Sequence, residues 1–210
     1  MPQSLDLLQC LQARVESLPS GLKAHIYRAR DVALELAERH GIDALPTELA
    51  MLAHDVMRAV PGRDLLRMAE EAGLPVGALD RGLPILLHGP VGAESVRREN
   101  GLGDHEILEA VRWHSTAHPS LSPLGKLVFI ADKLDPQKAA AYPYQPELRR
   151  MAEDDLDLAV LEFLSREAEG RIQRREPVHP ISIETINWLL AARSQDSGRA
   201  SCSPNCLHPT

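Results

Sequence analysis

Apolar residues recur every three or four positions along most of this chain, which is the spacing of an amphipathic helix. The first such run covers Leu5–Leu18, and a second run continues to His40 before Gly41. A serine can cap the start of a helix, and a glycine just beyond its end readily adopts the left-handed conformation that stops it. We therefore predict two helices here, with Ser20 as the cap of the second helix and Gly41 beyond its end.

The most apolar predicted helix, Glu48–Val60, carries His54 and Asp55 side by side. A buried charge is unfavourable unless it is paired or coordinated. Neighbouring residues of a helix point about 100° apart, so a group lying between those directions, such as a metal ion, can take both side chains. The alternative is a half-exposed His-Asp pair at a helix edge, and the dipeptide alone leaves it open. The apolar stripe that predicts this helix consists of Leu45, Leu49, Leu52, Val56 and Val60.

The rest of the chain shows the same helical periodicity, interrupted by turns. Gly89, Pro90 and Gly92 follow His88, which predicts a close backbone approach and a bend before a helix that runs toward Asn100. We find neither strand periodicity nor an internal repeat, so the predicted fold is all-α. Further helices are predicted at Arg63–Ala72, from a cap at Asp104, from a cap at Ser122, at Glu147–Ile172, and from Ser182 to Arg193, with a turn-rich stretch at 74–82.

Composition and charge narrow the class of protein. The chain has 210 residues, of which 44% are apolar, so one domain with a sizeable core is expected. The net charge is −7 without any Lys/Arg run, which argues against a nucleic-acid polymer as partner but not against a small phosphate ester. We find neither a signal peptide nor an apolar run of about 20 residues that could span a membrane. Because Cys10, Cys202 and Cys206 are few and scattered, we expect a cytoplasmic protein.

Six residues that can bind metal or move protons lie in apolar helical contexts. Imidazoles and carboxylates together suit iron, manganese, zinc, nickel or cobalt, and the lack of thiolates argues against a closed structural zinc site. A four-ligand shell with room for water would produce a bound hydroxide near neutral pH and polarise a phosphoryl oxygen. The remaining imidazoles could contact phosphate or protonate a leaving group. The alternative for each histidine alone is a structural role in the core. The six residues are His25, His54, Asp55, His88, His114 and Asp132.

The order of these motifs resembles the HD-domain metal-dependent phosphohydrolases, which are all-helical bundles. Within that superfamily, three segments look like those of the YqeK-type symmetrical bis(5′-nucleosyl)-tetraphosphatases, and the resemblance covers Leu22–Leu164. The segments are His88–Ala93, Arg112–Ser115 and Leu127–Pro136. The resemblance implies hydrolysis of diadenosine tetraphosphate to two ADP through a metal-bound hydroxide, with iron as the usual metal and manganese, cobalt, nickel or zinc also compatible. One ion is favoured, although four imidazoles and a shared Asp55 would allow two.

The resemblance also assigns roles to individual residues. Arg58 stands where the family commonly has a lysine, and an arginine there could neutralise charge on a phosphoryl group. The expected metal ligands are His25, His54, Asp55 and Asp132. The expected catalytic residues are Asp55, Arg58, His88 and His114. The expected substrate contacts are His88, His114, Ser115, Asp132 and Lys138. Three other histidines are predicted to lie at the surface, namely His105, His118 and His179.

The expected organisation is an N-terminal helix at 1–20 packed on the domain, an HD domain at 21–193, and a tail at 194–210 with the composition of a disordered segment. The expected partner is a small dinucleoside polyphosphate, and a homodimer is compatible with the sequence. Cys202, Cys206 and His208 in the tail lack a fourth partner for a metal site. Two alternatives stay open: action on another nucleotide, such as a nucleoside monophosphate or a guanosine alarmone, and a catalytically silent nucleotide-binding module.

Overall fold

The computed structural model describes the backbone of residues 2–200 and the side chains of residues 6–194. The described chain is helical and contains no strand, which confirms the predicted all-α fold class. Two short 3-10 helices, Pro84–Leu87 and Pro136–Lys138, lie between α-helices. The α-helices of this range are α1 (Pro2–Glu16), α2 (Ser20–His40), α3 (Ala44–Ala53), α4 (Gly62–Glu71), α5 (Ala78–Gly82), α6 (His88–Glu99), α7 (His105–Trp113), α8 (Pro123–Lys133), α9 (Gln145–Asp154), α10 (Leu156–Gln173) and α11 (Pro180–Ala200).

Helix α8 runs through the core, because every one of its residues except Pro123 and Lys126 is buried. Helices α2, α3 and α7 all pack against α8, and α6 packs against α7. This arrangement removes a large apolar area from water, which is the main favourable term in folding. It also brings together one side of α2, the ends of α3 and α7, the start of α6, and the last turn of α8.

The helix predicted at Glu48–Val60 ends earlier, at Ala53, and residues 54–59 form consecutive turns. The backbone N–H of Arg58 bonds to the carbonyl of Asp55 at 2.9 Å, and the N–H of Val60 bonds to the carbonyl of Met57 at 3.1 Å. These bonds span three residues instead of the four of an α-helix. The predicted continuation of the helix to Val60 was therefore wrong, and the tighter turns place both His54 and Asp55 in the interior.

The long helix predicted at Glu147–Ile172 is two helices. Asp155 separates α9 from α10 with an extended backbone, at φ −149° and ψ 104°. Its side chain accepts a hydrogen bond from the N–H of Leu158 at 2.9 Å, so it acts as the N-cap of α10. The capping preference of aspartate overrode the helical periodicity at this position.

Predicted helix ends were correct where a specific cap was identified. Gly41 follows α2 with φ +65°, Asp104 accepts from two N–H groups at the start of α7, and Ser122 accepts from the N–H of Gly125 at 3.2 Å. Two other predicted starts were wrong. Ser20 is the first helical residue of α2 and forms no capping bond, and α11 begins at Pro180, so Ser182 lies inside it and donates to the carbonyl of Thr116.

The segment after His88 is already helical, and the bend predicted there is absent. Helix α6 begins at His88 directly after the first 3-10 helix, and it includes Gly89, Pro90 and Gly92. The predicted close approach is present. A Cβ on Gly89 would lie 2.6 Å from the carbonyl oxygen of Arg112, so α6 and α7 meet there backbone to backbone. Within the stretch predicted to be rich in turns, residues 78–82 form the short helix α5.

The structure describes part of each terminus. Helix α1 packs against α2 and α3, and the last helix continues to Ala200, beyond the predicted end at Arg193. Cys202, Cys206 and His208 lie outside the described residues, and the domain limits at 20 and 193 stay predictions. In the described part of the chain, none of the helices combines the length and the hydropathy that crossing a bilayer requires.

Candidate active site

The residues predicted as metal ligands lie together in the core. His25 comes from α2, His54 and Asp55 from the turns after α3, and Asp132 from the last turn of α8. The Nε2 atom of His25 lies 3.0 Å from Oδ1 of Asp132, 3.4 Å from Nε2 of His54 and 3.6 Å from Oδ2 of Asp55. All four side chains are buried or nearly so. His54 and Asp132 are 78 positions apart in the chain, but Nε2 of His54 lies only 3.9 Å from Oδ1 of Asp132. The two residues thus share one small volume.

A second group of donors adjoins the first and shares Asp55 with it. Oδ1 of Asp55 lies 3.1 Å from Nε2 of His88 and 3.3 Å from Nε2 of His114, and these two nitrogens are 2.9 Å apart. The hydroxyl oxygen of Ser115 lies 3.2 Å from both nitrogens. The two oxygens of one carboxylate therefore face two pairs of imidazoles. One donor atom per residue lies within 4.8 Å of the others in two trios, His25, His54 and Asp55 in the first group and Asp55, His88 and His114 in the second.

Backbone carbonyls determine which nitrogen of three imidazoles carries the proton. A carbonyl oxygen can only accept, so each Nδ1 that contacts one must donate its proton there and leave a lone pair on Nε2. Burial also lowers the pKa of His54 to about 4 and lowers that of His114, which keeps both neutral at pH 7. The Nδ1 contacts are His54 to Met51 at 2.7 Å, His88 to Ile85 at 2.5 Å and His114 to Val111 at 2.7 Å.

Several unprotonated Nε2 atoms facing one another repel unless a proton or a cation lies between them. The site pairs these lone pairs with two buried carboxylates, which is the donor chemistry of a divalent transition metal. The residues present therefore fit the metal that the sequence motifs imply. The donor set alone does not select iron over its neighbours in the first transition row.

The ring of His25 is oriented by the side chain of Asp135. The sequence motifs had given Asp135 no role. Nδ1 of His25 lies 2.6 Å from Oδ2 of Asp135, a residue that is only 1% exposed. Arg28 also contacts both oxygens of this carboxylate, at 2.7 and 2.9 Å. Burial alone would raise the pKa of Asp135, but the hydrogen bonds from Arg28 and His25 lower it to about 2. The only local signal for Asp135 is that it precedes Pro136, which is typical of a turn.

Two lysines balance the charge of Asp132. Nζ of Lys133 lies 2.5 Å from Oδ2 of Asp132 and donates to the carbonyl oxygen of His114 at 3.0 Å. Nζ of Lys138 contacts Oδ1 of the same carboxylate. Burial would raise the pKa of Asp132, but these two ammonium groups lower it well below its usual range. Lys133 is buried and was not singled out in the sequence, whereas Lys138 was predicted to contact substrate.

The site opens into a cavity of about 300 Å³. Arg58, Ser115 and Lys138, three of the residues predicted to act on substrate, line this cavity together with His88 and His114. Apolar residues of α5, the first 3-10 helix, α10 and the segment before α11 also line the cavity. Arg58 is exposed and has no ion-pair partner among the described side chains, so its charge is available to an anion.

The three histidines predicted to lie at the surface differ from one another. His105 is exposed at the start of α7, as predicted. His118 is half-buried and stacks on Trp113, with ring centroids 4.7 Å apart. His179 is half-buried, lies 3.6 Å from Asp80 and lines the cavity. His118 and His179 are therefore only partly exposed at the surface, because aromatic stacking covers the first ring and the cavity wall includes the second.

Comparison with known proteins agrees with this geometry. A family model described as the HD domain matches residues 22–137. The chain is 34% identical over 167 residues to a Bacillus subtilis protein named bis(5′-nucleosyl)-tetraphosphatase, symmetrical, and the match covers 80% of this chain and 88% of that protein. It is 31% identical over 166 residues to a protein of the same name from Halalkalibacterium halodurans, covering 79% of this chain and 87% of the relative.

The fold also matches a solved structure. A crystal structure from Clostridium acetobutylicum, described as a predicted HD superfamily hydrolase involved in NAD metabolism, superposes with a TM-score of 0.83. The two chains are 26% identical, and the match covers 88% of this chain and 97% of that chain. The resemblance seen in the sequence motifs is confirmed. This chain belongs to the HD-domain family, in the group of the symmetrical bis(5′-nucleosyl)-tetraphosphatases.

Proposed function

We propose that this chain hydrolyses diadenosine tetraphosphate at its centre and releases two molecules of ADP. The observation that carries the proposal is the buried cluster of four imidazoles and two carboxylates, which opens into a cavity with an unpaired arginine at its edge. The relatives from Bacillus subtilis and Halalkalibacterium halodurans, which carry the name of this activity, support the choice of substrate. The protein is a metal-dependent phosphoric anhydride hydrolase.

The proposed metal ligands are His25, His54, Asp55 and Asp132. A divalent ion bound there supplies polarisation of a phosphoryl oxygen and activation of a water molecule. We propose iron as the metal, and manganese, cobalt, nickel and zinc suit the same donors. One ion is proposed, although Asp55 offers its second oxygen to a further ion beside His88 and His114. Metal analysis of protein purified without chelators measures both identity and stoichiometry, and protein without any transition metal would contradict this assignment.

The proposed substrate contacts are arranged along the open side of this cluster. His88 has committed Nδ1 to the carbonyl of Ile85, so a proton that it delivers to the leaving ADP must be held on Nε2. His114 has the same constraint through Val111. Arg58 can neutralise charge on the transferring phosphoryl group. Ser115 and Lys138 complete the proposed phosphate contacts, since both line the cavity beside the two histidines.

The test is the product profile from diadenosine tetraphosphate, separated by chromatography. We expect ADP as the sole nucleotide product. ATP together with AMP would refute the symmetrical cut while leaving a hydrolase, and the absence of any product would favour a silent binding module. Nucleoside monophosphates and guanosine alarmones tested alongside should react more slowly, because the activity in the names of the relatives acts on dinucleoside tetraphosphates.

Cellular context and assembly stay predictions. We expect the enzyme in the cytoplasm, acting on a small dinucleotide without a nucleic-acid or membrane partner, and a homodimer is compatible with the sequence. Light scattering on the purified chain measures the oligomeric state.

A further inference from the structure

His25 differs from the other three histidines in its place in the secondary structure. His54, His88 and His114 each follow the last residue of a helix, namely α3, the first 3-10 helix and α7, and the Nδ1 of each contacts the carbonyl three residues earlier. His25 lies inside α2, where the carbonyls of the preceding turn are already bonded within the helix. Its ring therefore needs a partner from another part of the chain.

Asp135 is that partner, and its two oxygens are fully used. Oδ1 accepts from Nε of Arg28 at 2.7 Å and from the N–H of Gln137 at 3.0 Å. Oδ2 accepts from Nη2 of Arg28 at 2.9 Å and from Nδ1 of His25 at 2.6 Å. A carboxylate has about four lone-pair sites, so none remains for a metal ion. Asp135 can hold His25 but is not itself available as a ligand.

The partners of Asp135 are themselves fixed. Arg28 follows His25 by three residues, so both project from the same face of α2. Gln145 donates through Nε2 to the backbone carbonyls of Asp135 at 2.8 Å and of Lys133 at 2.9 Å, which holds the segment after α8. The carboxylate is thus fixed from both its side chain and its backbone.

We infer that Asp135, held by Arg28, is the positioning residue that orients His25 for metal binding. It keeps the Nδ1 proton of the ring and directs the Nε2 lone pair toward Asp132 and His54. A charged acceptor also makes the opposite nitrogen a stronger ligand than a carbonyl does. The inference rests on the proposed metal site, because it gives His25 the role of a ligand.

The experiment measures Co²⁺ binding by the full chain, using calorimetry and the visible absorption of the bound ion. We expect Asp135→Ala to weaken Co²⁺ binding by about 10- to 100-fold and to change the Co²⁺ spectrum. Asp135→Asn should weaken it as well, because an amide has one acceptor oxygen and no charge, and so cannot accept all four hydrogen bonds that the carboxylate accepts. Arg28→Lys should give an intermediate loss, since lysine keeps the charge but not the two parallel hydrogen bonds.

Asp155→Ala is the matched control, because Asp155 also accepts from an N–H at a helix start and pairs with an arginine, but lies outside the cavity. It should lower the melting temperature and leave Co²⁺ affinity unchanged. Equal Co²⁺ affinity in the native chain, Asp135→Asn and Arg28→Lys would overturn the inference even if Asp135→Ala failed to fold. A loss in Asp155→Ala as large as in Asp135→Asn would also overturn it. If the native chain bound no Co²⁺, the proposed metal site would fail too.

Discussion

The two halves of the site are held in place by different means. His25 and Asp132 are surrounded by charged side chains, namely Arg28, Asp135, Lys133 and Lys138. His88 and His114 are oriented by backbone carbonyls, and their Nε2 atoms contact each other, the hydroxyl of Ser115 and Oδ1 of Asp55. The first half is a charge-balanced environment suited to retaining a cation. The second half offers imidazoles next to the cavity, which suits proton transfer and phosphate contact.

This difference predicts that substitutions in the two halves have separable effects. Changes around His25 and Asp132 should appear mainly in metal affinity. Changes at His88 and His114 should appear mainly in turnover, with the metal retained. Asp55 faces both halves and should affect both, so it gives the largest effect.

Asp55→Asn tests that shared position. One oxygen of Asp55 lies 3.6 Å from His25 and the other lies 3.1 Å from His88. An amide removes the negative charge from both groups, so we expect kcat/KM to fall by about 1,000-fold or more and metal content to fall with it. Asp64→Asn, at a partly exposed position of α4 outside the cavity, is the control and should leave both unchanged. Retained activity in Asp55→Asn would contradict the shared role.

His88→Gln should separate chemistry from metal binding. Glutamine cannot transfer a proton, so we expect kcat to fall by about 100-fold while metal content stays at the native value. Steady-state kinetics and metal analysis on the same preparation measure the two quantities. If metal content fell together with kcat, His88 would be a ligand, and the second donor group of Asp55, His88 and His114 would hold an ion of its own.

Local sequence patterns predicted the imidazoles and carboxylates of both halves of the site. Helical periodicity and the His-Asp dipeptide identified the donors, and the glycine after His88 indicated the close packing of α6 on α7. Asp135 was missed because its hydrogen-bond partner His25 lies 110 positions earlier, and no local pattern marks such a pair. Lys133 was missed for a different reason, since a lysine at a helix end is normally a solvated cation.

The errors in helix boundaries have a related cause. Periodicity correctly marked the apolar stripe, but it could not show that α3 ends at Ala53, because the turns after it are stabilised by contacts of His54 and Asp55 in the core. The break at Asp155 did have a local signal. An aspartate before an apolar run favours an N-cap, and that signal should outweigh periodicity in similar sequences.

Gly89→Ala tests whether the backbone-held half depends on the contact between α6 and α7. The new methyl group would lie 2.6 Å from the carbonyl oxygen of Arg112, and neither backbone can easily move. We expect a loss of about 1–3 kcal/mol in the free energy of unfolding and a drop in kcat, because His88 is the adjacent residue. Gly92→Ala is the control, since its nearest contact would be 3.8 Å away. Denaturant titration measures both variants, and equal stabilities would contradict the explanation.

Asp155→Asn should have the smallest effect, because this carboxylate stabilises a helix start away from the cavity. Partial burial would raise the pKa of Asp155, but hydrogen bonds from Arg193 and the N–H of Leu158 lower it below 3.8. A lowered pKa stabilises the folded chain at pH values above 3.8, and that stabilisation is lost as the pH falls through the folded-state pKa. Asparagine caps a helix as well as aspartate does, so only the charge is lost, and we expect the variant to lose about 0.2–1 kcal/mol at pH 7 with unchanged activity and the difference from the native chain to shrink in acid. A stability difference that stayed constant down to acid pH would show that the charge of Asp155 contributes nothing. A loss of activity would show that this helix start affects the site.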